Sequence, residues 1–265
     1  MRAKILLVLG ATTVAGCGVS TQQEVQMGQS EVQQINQQLP IINDPEVNRY
    51  INVLGDSIAR LTSRGDLPWQ FFIVNSPDIN AFAVPGGYIY VNRGLIEHAN
   101  KMDQVAGVLG HEIGHVVMRH TVKQMGQMNA ANIGVGLACA LTSVCNSGIA
   151  QTGINAAGSA VFAKFSRDDE KQADDVGFDN VVRAHISPKG MVEMFQILLD
   201  MRTSSPGLVQ GWFADHPTEE SRIADIQSKI NGLNPAVLNS LTEDSQAFHN
   251  FKARVASLPR AAAAR

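Results

Sequence analysis

His111-Glu112-Ile113-Gly114-His115 is the stretch on which the reading of this chain turns. It lies in an apolar, helix-compatible run from Asp103 to Arg119. On a helix, residues four apart stand one above the other on the same face, so the two imidazoles can grip one ion. Zn²⁺ takes neutral imidazole nitrogen at about 2.0–2.1 Å and wants about four ligands. Glu112, beside the pair, is placed to take a proton from a metal-bound water. Alone, the pattern also admits a plainer reading, two histidines on a core helix. The flanking sequence decides between them.

Downstream, Ser166-Arg167-Asp168-Asp169 matches a capping box, with Ser as N-cap and Asp at N3. The helix it opens carries Glu170-Lys171-Gln172-Ala173-Asp174, so Glu170 and Asp174 share a face. A carboxylate from a second helix is what the two histidines lack for a catalytic zinc site of three protein ligands and one open position. Asp174, one turn on, can accept the N–H of a ligand histidine and fix its tautomer. A solvated acidic helix start is the plainer alternative.

Upstream, three short segments rich in aromatic and β-branched residues, 70–74, 79–84 and 88–91, read as strands. The turn residues Asn75-Ser76-Pro77-Asp78 and Pro85-Gly86-Gly87 separate them. The expectation is a small antiparallel sheet beside the metal helix, with an edge able to hold an extended peptide by main-chain hydrogen bonds, Asn80 and Ala81 being its substrate-binding residues. Asp44-Pro45 opens an earlier helix with Val47, Ile51, Leu54 and Ile58 on its buried face.

The chain begins with Arg2 and Lys4, an apolar run over 5–9, and small residues up to Val14-Ala15-Gly16-Cys17. That order describes a secretory signal peptide. Val-Ala-Gly-Cys is similar to the bacterial lipobox, in which the cysteine carries the lipid, so Cys17 is the expected lipidation site. By resemblance to enterobacterial lipoproteins, Gly18 in place of Asp favours the outer membrane. The remaining residues, about 250, suit one sizeable catalytic domain. A net charge of −3 without a basic cluster argues against nucleic acid as a partner. Cys139 and Cys145 are either a disulfide, which an exported location permits and which needs a turn near Thr142-Ser143, or two buried thiols. They sit in a stretch, 124–163, with no charged residue. We read it as two small-residue helices packed on the protein, with a membrane-contacting hairpin as the rival.

Taken together these motifs resemble peptidase family M48. The matching residues are 111–115, Glu170 to Asp174, Asn80-Ala81-Phe82-Ala83, Pro85 to Val91, and His216-Pro217 followed by Arg222. The resemblance spans roughly 24–230. It implies a gluzincin-like α+β domain, mostly helical, with one zinc per chain on His111, His115 and Glu170 and with Glu112 as catalytic base. The metzincin pattern is excluded, because Met118 and Thr121 stand where it needs Gly and His.

The expected organisation is a signal peptide over 1–16, a lipid-anchored polar tether and N-terminal helix over 17–43, an M48-type peptidase domain over 44–258, and a frayed tail over 259–265. The expected activity is zinc-dependent endopeptidase action on misfolded or unassembled envelope proteins, at the periplasmic face of the outer membrane. Partners would be those substrates, the membrane through Cys17, and the envelope assembly machinery. A metal-binding chaperone or scaffold is the alternative. His216 is expected on the loop into a helix whose first turn Pro217 suits, as a neutral imidazole. There it either donates to a developing oxyanion, the favoured role, or takes the zinc's open position. His98, His120, His185 and His249 lack partners at ligand spacing and read as surface or satisfied structural residues.

Overall fold

A computed structural model describes residues 19–126, 164–216 and 220–261. The signal peptide, Cys17, Cys139, Cys145 and nearly all of the uncharged stretch lie outside them. Helix α1 (Thr21–Gln38) is followed by α2 (Pro45–Ala59), which starts as its chemistry dictates. Asp44 accepts hydrogen bonds from the N–H groups of Glu46 and Val47 at 3.1 and 3.0 Å, and Pro45 takes the first turn. Val47, Ile51, Leu54 and Ile58 are buried, as their spacing predicts.

Strands β1 (Gln70–Val74), β2 (Ala81–Val84) and β3 (Tyr88–Asn92) form one sheet in the order β1-β3-β2. The expectation of a wholly antiparallel sheet is corrected. β2 and β3 are antiparallel, with Phe82 opposite Tyr90, but β1 and β3 are parallel, with Phe72 opposite Tyr90. The tight turn at Gly86 and Gly87, at φ +86° and +103°, folds β3 straight back on β2. The connection between β1 and β2 has already carried the chain past the neighbouring position, so β3 fills it and runs the same way as β1. β2 also starts later than expected, because Ile79 gives its N–H to the carbonyl of Leu208 at 2.7 Å. The outer edge of β1 is closed at Phe71, whose N–H and C=O both bond to the side-chain amide of Asn52.

After α3 (Arg93–His98), helix α4 (Met102–Val117) carries the two histidines through the centre of the molecule, with residues 102–116 all buried. A break at 118–119 precedes a further helical stretch over 120–126. Helices α5 (Arg167–Arg183), α6 (Lys189–Ser204), α7 (Pro206–Asp215), α8 (Glu220–Gly232), α9 (Pro235–Ser240) and α10 (Gln246–Ser257) complete the described chain. No helix among the described residues is long and apolar enough to cross a membrane.

The contact that positions the site is α4 against α5. A Cβ on Gly114 would come within 2.4 Å of the carbonyl oxygen of Ala173, and one on Gly177 within 2.8 Å of the backbone of Gly110. Only small residues allow this approach. Gly114, inside the five-residue motif, therefore sets how near Glu170 comes to the histidines.

Candidate metal centre

The capping box at the start of α5 forms as read: the Ser166 hydroxyl accepts the N–H of Asp169 at 3.1 Å, and Asp169 accepts the N–H of Ser166 at 3.2 Å. One residue later Glu170 points at α4. His111 Nε2 and His115 Nε2 are 3.0 Å apart, Glu170 Oε1 is 3.3 Å from His115 Nε2, and Glu170 Oε2 is 3.5 Å from His111 Nε2. His216 adds a fourth atom: its Nδ1 lies 3.1 Å from Glu170 Oε1 and 3.3 Å from His111 Nε2. All four side chains are buried, with ligand atoms within 4.8 Å of one another. A tetrahedron around an ion bonded at about 2.0–2.1 Å has edges of about 3.3–3.4 Å, so three imidazoles and a carboxylate at these spacings fit Zn²⁺.

These side chains are held from behind. His111 Nδ1 lies 2.8 Å from Asp174 Oδ1, the role expected of that carboxylate. Arg222, on α8, donates to both oxygens of Asp174 at 2.7 Å each and pairs with Glu170 through Nη1. Its guanidinium lies 4.6 Å from the centre of the Phe195 ring. His115 Nδ1 lies 3.0 Å from Nδ1 of His120, whose Nε2 is 3.3 Å from Asp169 Oδ1 and 3.4 Å from Gln172 Oε1.

Burial pushes the Glu170 carboxyl up, but the neighbouring His216 and His111 outweigh it and hold the group well below the ordinary carboxylate range. Burial keeps His115 well below the usual imidazole value and so neutral, the form that could bind a metal. Glu112 is fully buried with no hydrogen-bond partner for either oxygen among the described residues, and burial raises its pKa. Its nearest charged neighbour is His216, with Nε2 at 3.5 Å from Oε1. A buried carboxylate without partners is costly unless a further group completes its surroundings.

The structure differs from the expectation for His216. It caps the C-terminal end of α7, giving its N–H to the carbonyl of Trp212 at 2.7 Å, and its ring stacks on Trp212 with centroids 4.6 Å apart. A helix C-terminus favours a cation, the opposite of the dipole argument made from Pro217. Burial lowers the imidazole, but Glu170 and Glu112 more than offset it and lift the value to about 9. The signal for α7 was Pro206 at a first helical position, directly after Ser205.

Asn80 and Ala81 lie at the start of β2, beneath α7. The Asn80 side chain accepts the N–H of Ala81 at 3.0 Å and bonds to Asp215, and a Cβ on Gly211 would come within 3.1 Å of its Nδ2. Helix α7 thus covers the strand end nearest the centre. His120 and Arg222 are the members whose roles the sequence did not give. His98 and His249 keep structural partners, Gly94 O at 2.7 Å and Asp244 at 2.6 Å, and His185 is exposed.

Residues 45–230 match the model of peptidase family M48. Over 250 residues, 91% of this chain and 50% of the relative, the sequence is 34% identical to the beta-barrel assembly-enhancing protease of Escherichia coli O157:H7 and 33% identical to that of Escherichia coli strain K12. It is 32% identical to metalloprotease YcaL of Escherichia coli strain K12 over 164 residues, 62% of this chain and 63% of the relative. The chain spans about half the length of the beta-barrel assembly-enhancing proteases it matches.

Proposed function

The chain belongs to peptidase family M48, and on that premise we propose that it is a zinc-dependent endopeptidase. We propose further that it is held by a lipid on Cys17 at the periplasmic face of the outer membrane, and that its substrates are misfolded or unassembled envelope proteins. The observation that carries the catalytic reading is Glu112, buried and without a hydrogen-bond partner among the described residues, beside four possible ligand atoms that lie within 4.8 Å of one another. The names of the longer relatives support an envelope substrate, and the leader ending in Cys17 supports the anchor.

His111, His115 and Glu170 would hold the metal. When bound, zinc supplies Lewis-acid chemistry, polarising the scissile carbonyl and acidifying water toward a pKa of about 7. Glu112 takes the proton of the attacking water and passes it to the leaving amine. Arg222 grips Glu170 and Asp174, and Asp174 keeps His111 turned inward. Asn80 and Ala81, at the start of β2, would receive the substrate main chain once α7 withdraws.

Of the two roles open to His216, its position at the fourth corner of the ligand set favours occupation of the site. The arrangement described is then a latent one, and activity requires the C-terminal end of α7 to carry His216 away. The filled corner also favours a second reading, a metal-binding chaperone or scaffold of the envelope with little proteolysis, because closed four-ligand sites are structural.

Casein cleavage by the purified protein, with and without chelator, separates the two readings. Glu112→Gln abolishes cleavage while keeping about one zinc per chain, since the ligands are untouched. Cleavage at the wild-type rate in that variant removes Glu112 as the base, and no cleavage by any form leaves the scaffold reading. His216→Ala raises the rate. A fall of about 10²–10³-fold would instead assign His216 to the oxyanion, as for loss of one such donor.

A further inference from the structure

We propose that His120 is the positioning residue of the ligand His115, accepting the Nδ1–H of that ring and so fixing the tautomer that turns Nε2 toward the metal. This rests on the reading of His111, His115 and Glu170 as ligands.

Proton placement allows one arrangement. His115 Nε2 faces the other ligand atoms, 3.0 Å from His111 Nε2 and 3.3 Å from Glu170 Oε1, so its lone pair must be there and its proton on Nδ1. The ring is fully buried, and a buried N–H needs an acceptor. Among the described residues, the atom within reach is His120 Nδ1, at 3.0 Å. For His120 to accept there, its own proton sits on Nε2, facing Asp169 Oδ1 at 3.3 Å and Gln172 Oε1 at 3.4 Å, both acceptors. The reverse placement points an N–H of His115 into the ligand set and a His120 lone pair at a carboxylate. Every contact is satisfied in one direction only, from His115 through His120 to α5.

An uninterrupted helix would not deliver His120 to this place, because five residues carry a side chain about 140° around the axis. The break after α4 does. Arg119 has φ +60°, a left-handed conformation that residues with a Cβ rarely adopt, and the chain turns there before the helix resumes at 120. Glu24 of α1 holds the break. It is fully buried, receives both terminal nitrogens of Arg64 at 2.9 Å, and pairs with Nε of Arg119 at 2.8 Å. Arg64 also donates to the carbonyl of Val116 at 2.9 Å, tying the last turn of α4 into the same group.

The test measures zinc affinity of the full chain by competition with a chromophoric chelator. His120→Phe keeps a ring but offers no acceptor, and loses about tenfold in affinity, the lower end of what removal of a ligand's partner costs. His120→Asn, whose Oδ1 can stand in for Nδ1, stays close to wild type. Equal affinity in His120→Phe and wild type overturns the proposal, and so does an Asn variant as weak as the Phe one, which would assign the loss to packing. Nitrogen-15 spectra of zinc-loaded wild-type protein report the tautomers without any substitution: Nδ1–H on His115 and Nε2–H on His120 are expected, and Nδ1–H on His120 overturns the assignment. Wild-type protein that takes up no zinc overturns the ligand reading itself, an outcome distinct from a His120 effect that is missing while zinc binds.

Discussion

The two histidines of α4 that we propose as ligands rest on unlike supports. His111 leans on Asp174, a buried carboxylate gripped on both oxygens by Arg222. His115 leans on His120, a neutral ring whose far side reaches Asp169, with 24% of its side chain exposed. The first support is ionic and sealed, and the second is uncharged and ends near solvent. Both nevertheless end on α5, whose first two turns supply the proposed ligand Glu170 as well as Asp169, Gln172 and Asp174. On the proposed ligand set, α4 presents the imidazoles while α5 sets their orientation, so the close packing at Gly114 and Gly177 belongs to the chemistry as much as the histidines do.

The largest expected effect comes from the residue common to both halves. Glu170→Ala removes one ligand and exposes Arg222 and both histidines to an incomplete centre, so metal content and cleavage should fall together, as read by metal analysis of the purified protein. Normal occupancy would put the third ligand elsewhere. The next effect separates the halves. Asp174→Ala should cost about 100-fold in zinc affinity, against about tenfold for His120→Phe, because a charged acceptor holds a ligand imidazole more firmly than a neutral one. The same change leaves Arg222 short of a partner in a buried place and should lower the stability of the metal-free chain by about 3 kcal/mol in denaturant titration. Equal losses of affinity in the two variants would erase the distinction between the supports.

Much of the sealed half was legible from sequence. The spacings 111/115 and 170/174 are helical face spacings, and the capping box at Ser166 fixed the register of α5. The neutral half was not. His120 follows His115 by five, which on a continuous helix means opposite sides, and nothing in Arg119 announces a left-handed residue, since the partner that holds it, Glu24, lies far away in α1. Arg222 could be matched but not given a role, because its two carboxylates come from another helix. His216 is legible as a member of the site, yet Pro217 directs attention forward along the chain, whereas α7, behind it, sets its orientation. The mixed sheet is hidden from the sequence for a related reason: strand direction depends on where the connection crosses, and alternation within each strand is silent about that.

The smallest expected effect on the centre comes from the far end of the metal helix, which sharpens the contrast between compensated and uncompensated charge. Asp103 lies in the first turn of α4, fully buried, with neither oxygen hydrogen-bonded among the described residues. Burial lifts its pKa to about 7, with Lys101 opposing and Glu193, Glu243 and Asp244 adding to the rise. A raised acid has a definite sign. Between its ordinary value of 3.8 and about 7 the folded chain keeps a proton that the unfolded chain has lost, so stability falls as pH rises through that window and the full penalty stands above it. Asp174 has the opposite sign. Burial pushes it up, but Arg222 and His111 hold it below 3.8, so its contribution is present above that value and lost in acid. Asp103→Asn should therefore raise the melting temperature at pH 8 and leave it nearly unchanged at pH 4. Because the helix N-terminus already favours the anion, the gain should be on the order of 1 kcal/mol, or about 2–4 °C. Zinc affinity should not move, since His111 lies about two turns further along the helix. A melting temperature at pH 8 equal to or below that of the wild type would mean that the Asp103 carboxylate is compensated after all, and the two ends of α4 would no longer differ in kind.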